Sequence, residues 1–260
     1  MKNFSLHRGS IPLLVSLPHN GTEIPADLAE SMTEAGRRVA DTDWHMERLY
    51  GFVKDLGASL IVPGLSRYVV DLNRPADGEK LYPGRIETGI CPVETFAGEP
   101  IYVSGQAPSI AEIKRRNLAY WLPYHQALEA EIKRLHSEYG QVLLWEGHSI
   151  RSVVPRLFEG TLADLSLGTA DGRSCSAHLQ HVLVAQLEAQ QAYQFVVNDR
   201  FKGGYITRHY GRPEQSIQAV QLEITQKNYL DEDAFSWNAV RAGHLQKLLR
   251  RLLECAMAAF

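Results

Sequence analysis

Cysteine is scarce in this chain, and what there is stands apart. Cys91, Cys175 and Cys255 form no CxxC pair, so neither a disulfide framework nor a cysteine zinc site is expected, and a reducing, cytoplasmic setting fits. Long apolar runs are missing too. No stretch approaches the ~20 apolar residues of a membrane span. The early run at 11–17 is short, breaks at Pro18 and has no small-residue cleavage site after it, which argues against a signal peptide. Positive charge is not in excess: 27 Lys and Arg face 30 Asp and Glu, a formal net charge of -3. A nucleic-acid partner, which calls for a concentrated basic face, is therefore not expected. Several signatures are absent as well. The chain has no GxxxxGK[ST] or GxGxxG, and the glycines at 168–172 are too loosely spaced to cradle a phosphate. It has no GxSxG elbow, so the usual sign of a serine hydrolase is lacking.

What is present is an alternation of short apolar runs and helical periodicity over 260 residues, 45% hydrophobic and 22% charged. This suits one large α/β domain spanning 1–260, with a parallel or mixed sheet. Residues 11–17 read as a buried strand ending in Pro18-His19-Asn20-Gly21, followed by Glu23. Met46, Leu49, Tyr50, Val53 and Leu56 recur at helical spacing, with Asp41 or Asp43 as the N-cap and Gly57 as the stop. A strand at 58–62 leads into Ser66-Arg67-Tyr68-Val69-Val70-Asp71-Leu72-Asn73-Arg74, a further strand-like run bracketed by two arginines. Residues 75–108 are rich in Gly and Pro, as a lid or specificity loop would be. Ser109 opens a helix reaching about Tyr139, with Pro123 as a kink. A strand at 141–146 runs into Gly147-His148-Ser149, so His148 repeats the position of His19 at a strand exit. Beyond an irregular stretch at 151–173, a helix capped by Ser174, a strand at 194–198 and a flexible loop at 203–205 are expected. In 219–225, Val220, Leu222 and Ile224 face one way and Gln221, Glu223 and Thr225 the other. A last helix begins near Asp233.

Two histidines at matching strand ends are a natural start for a zinc site, which needs a third protein ligand and an open position for water. Asp41, Asp43 or Glu23 could complete it; the alternative is a pair of hydrogen-bonded loop histidines. Glu223, a carboxylate in an apolar strand, could exchange protons with a metal-bound water, or lie on a solvated edge. Arg67 and Arg74 suit a small acidic substrate, since a guanidinium fork matches a carboxylate or an oxyanion; the alternative is a salt bridge with Asp71. Arg208 and Arg212 read as loop cations that could touch an anion.

Taken in order, Pro18-His19-Asn20-Gly21-Thr22-Glu23-Ile24-Pro25, Asp41-Thr42-Asp43-Trp44-His45, Ser66-Arg67 through Asp71-Leu72-Asn73-Arg74, Gly147-His148-Ser149 and Leu222-Glu223-Ile224 resemble the N-formylglutamate amidohydrolase (deformylase) family. Leu162-Ala163-Asp164 with Leu167-Gly168-Thr169 is similar to that family's loop after its second histidine. The family is itself similar to zinc carboxypeptidases and aspartoacylase. The resemblance implies a three-layer, phosphorylase/hydrolase-like α/β sandwich with a mixed sheet and one Zn2+ per chain. It implies His19 and His148 as ligands, Glu223 as general base, Arg67 at the scissile carbonyl, and Asn73 and Arg74 on the substrate carboxylate. Carboxypeptidase-like sites carry a glutamate ligand three residues after the first histidine, where this chain has Thr22. The third ligand is therefore expected to be Asp41 first and Asp43 second. Glu146 stands two before His148, where the pattern has aspartate. The implied reaction is hydrolysis of N-formyl-L-glutamate to formate and glutamate in histidine degradation. Its alternatives are a zinc hydrolase of another N-acyl amino acid or short peptide, and a metal-free protein that senses an acidic metabolite.

Overall fold

The computed structural model of the chain describes residues 3–81, 84 and 87–259. Among these, one mixed sheet is built from β1 (Phe4–His7), β2 (Leu13–Ser16), β3 (Ser59–Pro63), β4 (Val142–Ile150), β5 (Leu165–Gly168), β6 (Phe195–Val197) and β7 (Ile217–Thr225). Their spatial order is β1-β3-β2-β4-β7-β5-β6. The four central strands β3, β2, β4 and β7 run parallel. At the flanks, β1 is antiparallel to β3 and β5 antiparallel to β7.

The central strands are apolar at nearly every position because both sheet faces are covered. Leu13, Val15, Leu143, Trp145, Val220 and Leu222 pack into one apolar layer, with side chains from the helices Ala177–Glu188 and Ala239–Ala258. Leu14, Leu144 and Ala219 project the other way, against Tyr124, Leu128, Ile132 and Leu135 of the helix Leu122–Tyr139. The result is a three-layer α/β sandwich. Truncating a residue such as Leu144 to alanine costs about 2–5 kcal/mol of folding free energy. No helix among the described residues is long and apolar enough to cross a membrane.

Ser109 caps its helix as read, its Oγ accepting from the Glu112 amide at 3.2 Å. Pro123 does not break that helix. The five residues Asn117–Trp121 form a wider π-type turn between Ile110–Arg116 and Leu122–Tyr139, which absorbs the amide that proline lacks.

Several expectations change. Residues 66–74 form turns rather than a strand. Their apolar alternation is consumed by separate clusters: Tyr68 joins one, Val69 a second, Val70 and Leu72 a third. Neither Asp41 nor Asp43 caps the short helix Met46–Leu49, whose N-cap is His45 at φ 61°. β4 runs four residues past Glu146, so His148 lies within a strand rather than beyond one. β5 occupies part of the stretch read as irregular. Ser176 caps the next helix, because the Ser174 hydroxyl is spent on the Ala219 carbonyl. The helix Tyr205–Tyr210 follows Gly204 where a loop had been expected, and it contains Arg208. A small hairpin, Leu230–Asp231 with Ser236–Trp237, delays the last helix to Ala239. Of the segment 75–108, residues 82, 83, 85 and 86 lie outside the described residues.

Candidate active site

Three adjacent strands bring the central groups to the same carboxyl edge. β2 ends at Ser16 and the chain turns through Pro18 to His19; β4 carries His148; β7 carries Glu223, directly opposite His148 in the ladder. Asp43 arrives from the turn before Met46. Its amide donates to the His19 carbonyl at 3.0 Å, and its Oδ2 accepts from the Ser149 amide at 3.0 Å. All three prospective ligands, His19, Asp43 and His148, are buried, and one donor atom from each lies within 4.8 Å of the others.

The protons on the two imidazoles follow from their neighbours. His19 Nε2 stands 2.7 Å from Asp71 Oδ1, and His148 Nε2 stands 2.7 Å from Glu146 Oε1. An ionised carboxylate can only accept, so both Nε2 atoms carry hydrogen. Asn73 Nδ2 also approaches His148 Nε2, at 3.0 Å; the shorter, charge-assisted bond to Glu146 governs. Each histidine is then left with Nδ1 towards Asp43 Oδ2, at 3.1 Å for His148 and 3.9 Å for His19. Two imidazole nitrogens and a carboxylate, with both rings oriented by buried carboxylates, are the donor set and outer partners of a catalytic zinc site with an open position. The residues fit such an ion.

Charge points the same way. Asp43, Asp71, Glu146 and Glu223 are all buried, whereas Arg67 is the permanent cation among them. Burial alone would raise Asp71, but His19, Arg67 and Arg74 hold its carboxyl well below the usual range. Burial raises Glu223 above the ordinary carboxylate range, and Asp43 and Glu146 add to this against the pull of His148 and Arg67. Burial works against a proton on His148, yet Glu146 and Asp43 raise it well above 6.5. A divalent cation would relieve this crowding of anions.

Arg67 Nη2 pairs with Asp71 Oδ2 at 2.6 Å, and its guanidinium carbon sits 4.9 Å from the centre of the Phe96 ring. Its buried Nε has no acceptor among the described residues. The side chains of Arg67, Asn73, Arg74 and Arg200 all line the cavity that holds His19, Asp43, His148 and Glu223. Asn73 is clamped: Oδ1 accepts from the Ile206 amide at 2.9 Å, and a Cβ on Gly204 would come within 2.2 Å of its side chain. Glycine at 204 is thus required by close approach. Arg74 donates from Nε to the Thr88 carbonyl at 2.9 Å.

Glu23, Asp41, Arg208 and Arg212, candidates from the sequence, stand outside this cavity. Asp41 turns away from the histidines, and its Oδ2 accepts from the Phe96 amide at 2.7 Å. Asp43, the second choice for the third ligand, is the carboxylate that lies with His19 and His148. Arg208 donates to the Gly203 carbonyl at 2.8 Å and lines a separate pocket with Arg173 and Arg212. In the other direction, Arg200, Phe96 and Gln221 line the cavity without having been singled out. Gln221 could have been found, since it shares a strand face with Glu223.

Over residues 11–230 the sequence matches the model of a family described as N-formylglutamate amidohydrolase. The chain belongs to the N-formylglutamate amidohydrolase family. It is 48% identical over 255 residues to the N-formylglutamate deformylase of Pseudomonas aeruginosa (strain PAO1), covering 98% of this chain and 96% of that protein. The N-formylglutamate deformylase of Pseudomonas putida is 44% identical over 258 residues, covering 99% and 96%. Among solved structures, the N-formylglutamate amidohydrolase of Ralstonia eutropha JMP134 superposes with a TM-score of 0.84 at 26% identity, covering 100% of this chain and 98% of that one. As a member of the N-formylglutamate amidohydrolase family, the protein is a hydrolase of an amide bond. In that light the cavity joins a site fit for a metal, a desolvated carboxylate and a group of arginines.

Proposed function

We propose that this protein hydrolyses N-formyl-L-glutamate to formate and L-glutamate, a late step of histidine degradation, with one zinc ion held by His19, Asp43 and His148. One observation carries the reading: two oriented imidazoles and the Asp43 carboxylate converge beside Glu223, in a cavity that also holds Arg67, Arg74 and Arg200. A zinc ion supplies Lewis acidity and lowers the pKa of a bound water towards ~7.

The chain's own residues do the rest. Glu223, desolvated and held above the usual carboxylate range, accepts a proton from the attacking water and returns it to the departing nitrogen. The formyl C–N bond breaks as a C–O bond forms. Arg67 offers its unpaired Nε–H to the developing oxyanion, and Asp71 holds the guanidinium in register from below. Asp71 and Glu146 keep the two imidazoles turned with Nδ1 inward. Arg74, with Asn73 beside it, and Arg200 supply cations for the two carboxylates of the substrate. Arg208 has no part in this scheme.

The test is formate release from N-formyl-L-glutamate measured beside N-acetyl-L-glutamate and N-formyl-L-aspartate. The first should have the highest kcat/KM, and equal values for all three would sink the substrate assignment. Full turnover after complete chelation of bound metal would remove zinc from the mechanism.

A further inference from the structure

Among the described residues, Glu87 is the one acidic side chain of the cavity wall that the scheme above leaves without a task. It lines the cavity together with Arg74 and Arg200. Both of its carboxylate oxygens are buried, and neither meets a hydrogen-bond donor among the described residues. Arg74 does not answer it. Three of its five N–H donors go to the Thr88 carbonyl and hydroxyl and to the Asn73 carbonyl, and none reaches Glu87. The bonds to Thr88 instead pin the backbone next to Glu87. A buried acceptor with no donor destabilises the free protein, so a ligand that brings a donor is the natural reason to keep it. A carboxylate here is otherwise paradoxical, because it repels a dicarboxylate ligand.

We propose that Glu87 reads the nitrogen of the ligand, accepting the amide N–H of the substrate and then the ammonium of the product. This rests on the substrate assigned above. N-Formylglutamate ionised at neutral pH has two carboxylates and a formyl oxygen, all acceptors, and a single donor, its amide N–H. Hydrolysis cleaves the formyl C–N bond, sends the water's oxygen to formate and both of its protons to that same nitrogen, which becomes a cation with three donors. A fixed carboxylate therefore gains interaction as the reaction proceeds, and it marks a preference for ligands with N–H over isosteres that lack it.

The decisive measurement is calorimetric binding of L-glutamate and of glutarate, a dicarboxylate of equal chain length without the amine, to the zinc-loaded wild-type protein and to Glu87→Ala. L-Glutamate should bind about tenfold or more tighter than glutarate to the wild type, and the preference should fall to within about twofold in the variant. The ligand-free variant should also melt at a higher temperature, since an unsatisfied buried acceptor has been removed; a purely structural Glu87 would lower the melting point. An undiminished preference in Glu87→Ala, or none in the wild type, overturns the proposal while leaving hydrolysis of N-formylglutamate standing. Failure of the wild type to bind either dicarboxylate or to turn over N-formylglutamate overturns the substrate assignment, and the role of Glu87 with it.

Discussion

Asp71→Asn is the substitution that tests the site most sharply, because it changes one atom and cannot be accommodated in either orientation. Asp71 is fully buried. Its Oδ1 accepts from His19 Nε2 at 2.7 Å and from the Asn73 amide at 2.9 Å, and its Oδ2 accepts from Arg67 Nη2 at 2.6 Å. If the amide oxygen of the variant keeps the first two bonds, its NH2 faces a buried guanidinium, donor against donor. If it turns round, NH2 meets the Asn73 N–H, and His19 must give up its Nε2 proton and carry hydrogen on Nδ1, the atom that faces Asp43. Leaving the Arg67 charge without its buried partner costs about 3–5 kcal/mol of folding free energy. Loss of the carboxylate behind a metal-binding histidine costs about 10–100-fold in metal affinity. Urea unfolding of the metal-free protein reads the first effect and competition with a chromogenic chelator the second. Wild-type zinc affinity in a variant that is destabilised would refute the argument, because it would mean that Asp71 serves Arg67 alone and does not orient His19.

Four further outcomes are expected. Asp43→Asn should lose stoichiometric zinc while Asp41→Asn keeps it, measured by metal analysis; the reverse pattern would restore Asp41 as the ligand. Glu223→Gln should retain zinc and lower kcat by about 10²–10⁴-fold, and an undiminished rate in formate release would remove it as the base. Gly204→Ala forces a Cβ onto the Asn73 side chain and should lower both stability and kcat, so a variant with unchanged melting temperature and rate would contradict the close approach. His125, buried with Nε2 on the Leu72 carbonyl and Nδ1 on the Tyr210 hydroxyl, is pushed down by burial to about 3 from 6.5. Between those values the unfolded chain binds a proton that the folded one refuses, so stability is full above about pH 6.5 and falls as pH drops towards 3, by up to about 1.4 kcal/mol per unit. His125→Gln should flatten that slope in urea titrations, and an equal slope would show that other groups set it.

Much of this was legible because the sheet writes itself into the sequence. The strict alternation around Glu223 separates an apolar face from a cavity face, and β7 keeps it. His19, His148 and Glu223 could be read as converging because each lies at or near the end of an apolar run. Which carboxylate joins the two histidines was not legible. Asp41 and Asp43 are two residues apart, and what separates them is how the chain bends between His19 and His45, including a left-handed φ at His45. Residues 66–74 carried a strand's alternation but distribute their apolar side chains over three buried clusters, which no local pattern reveals. Arg208 and Arg200 make the converse pair. One stood near a motif and faces a different pocket; the other, in the turn after β6, carries no pattern and lines the cavity.

The pairing of β4 with β7 has a further consequence. Nine consecutive positions match, from Val142 with Ile217 to Ile150 with Thr225, and His148 with Glu223 is one of those rungs. The spacing between the proposed metal ligand His148 and the proposed base Glu223 is therefore measured out by the backbone ladder, like two marks on one ruler, rather than by a loop. A slip of a single rung would turn Glu223 into the apolar layer with Leu222 and Ile224 on the far side. A strand error at the Val142 end would thus disable chemistry at the other end of the same strand, and a folding intermediate without this register could assemble every other part of the site and still be inert.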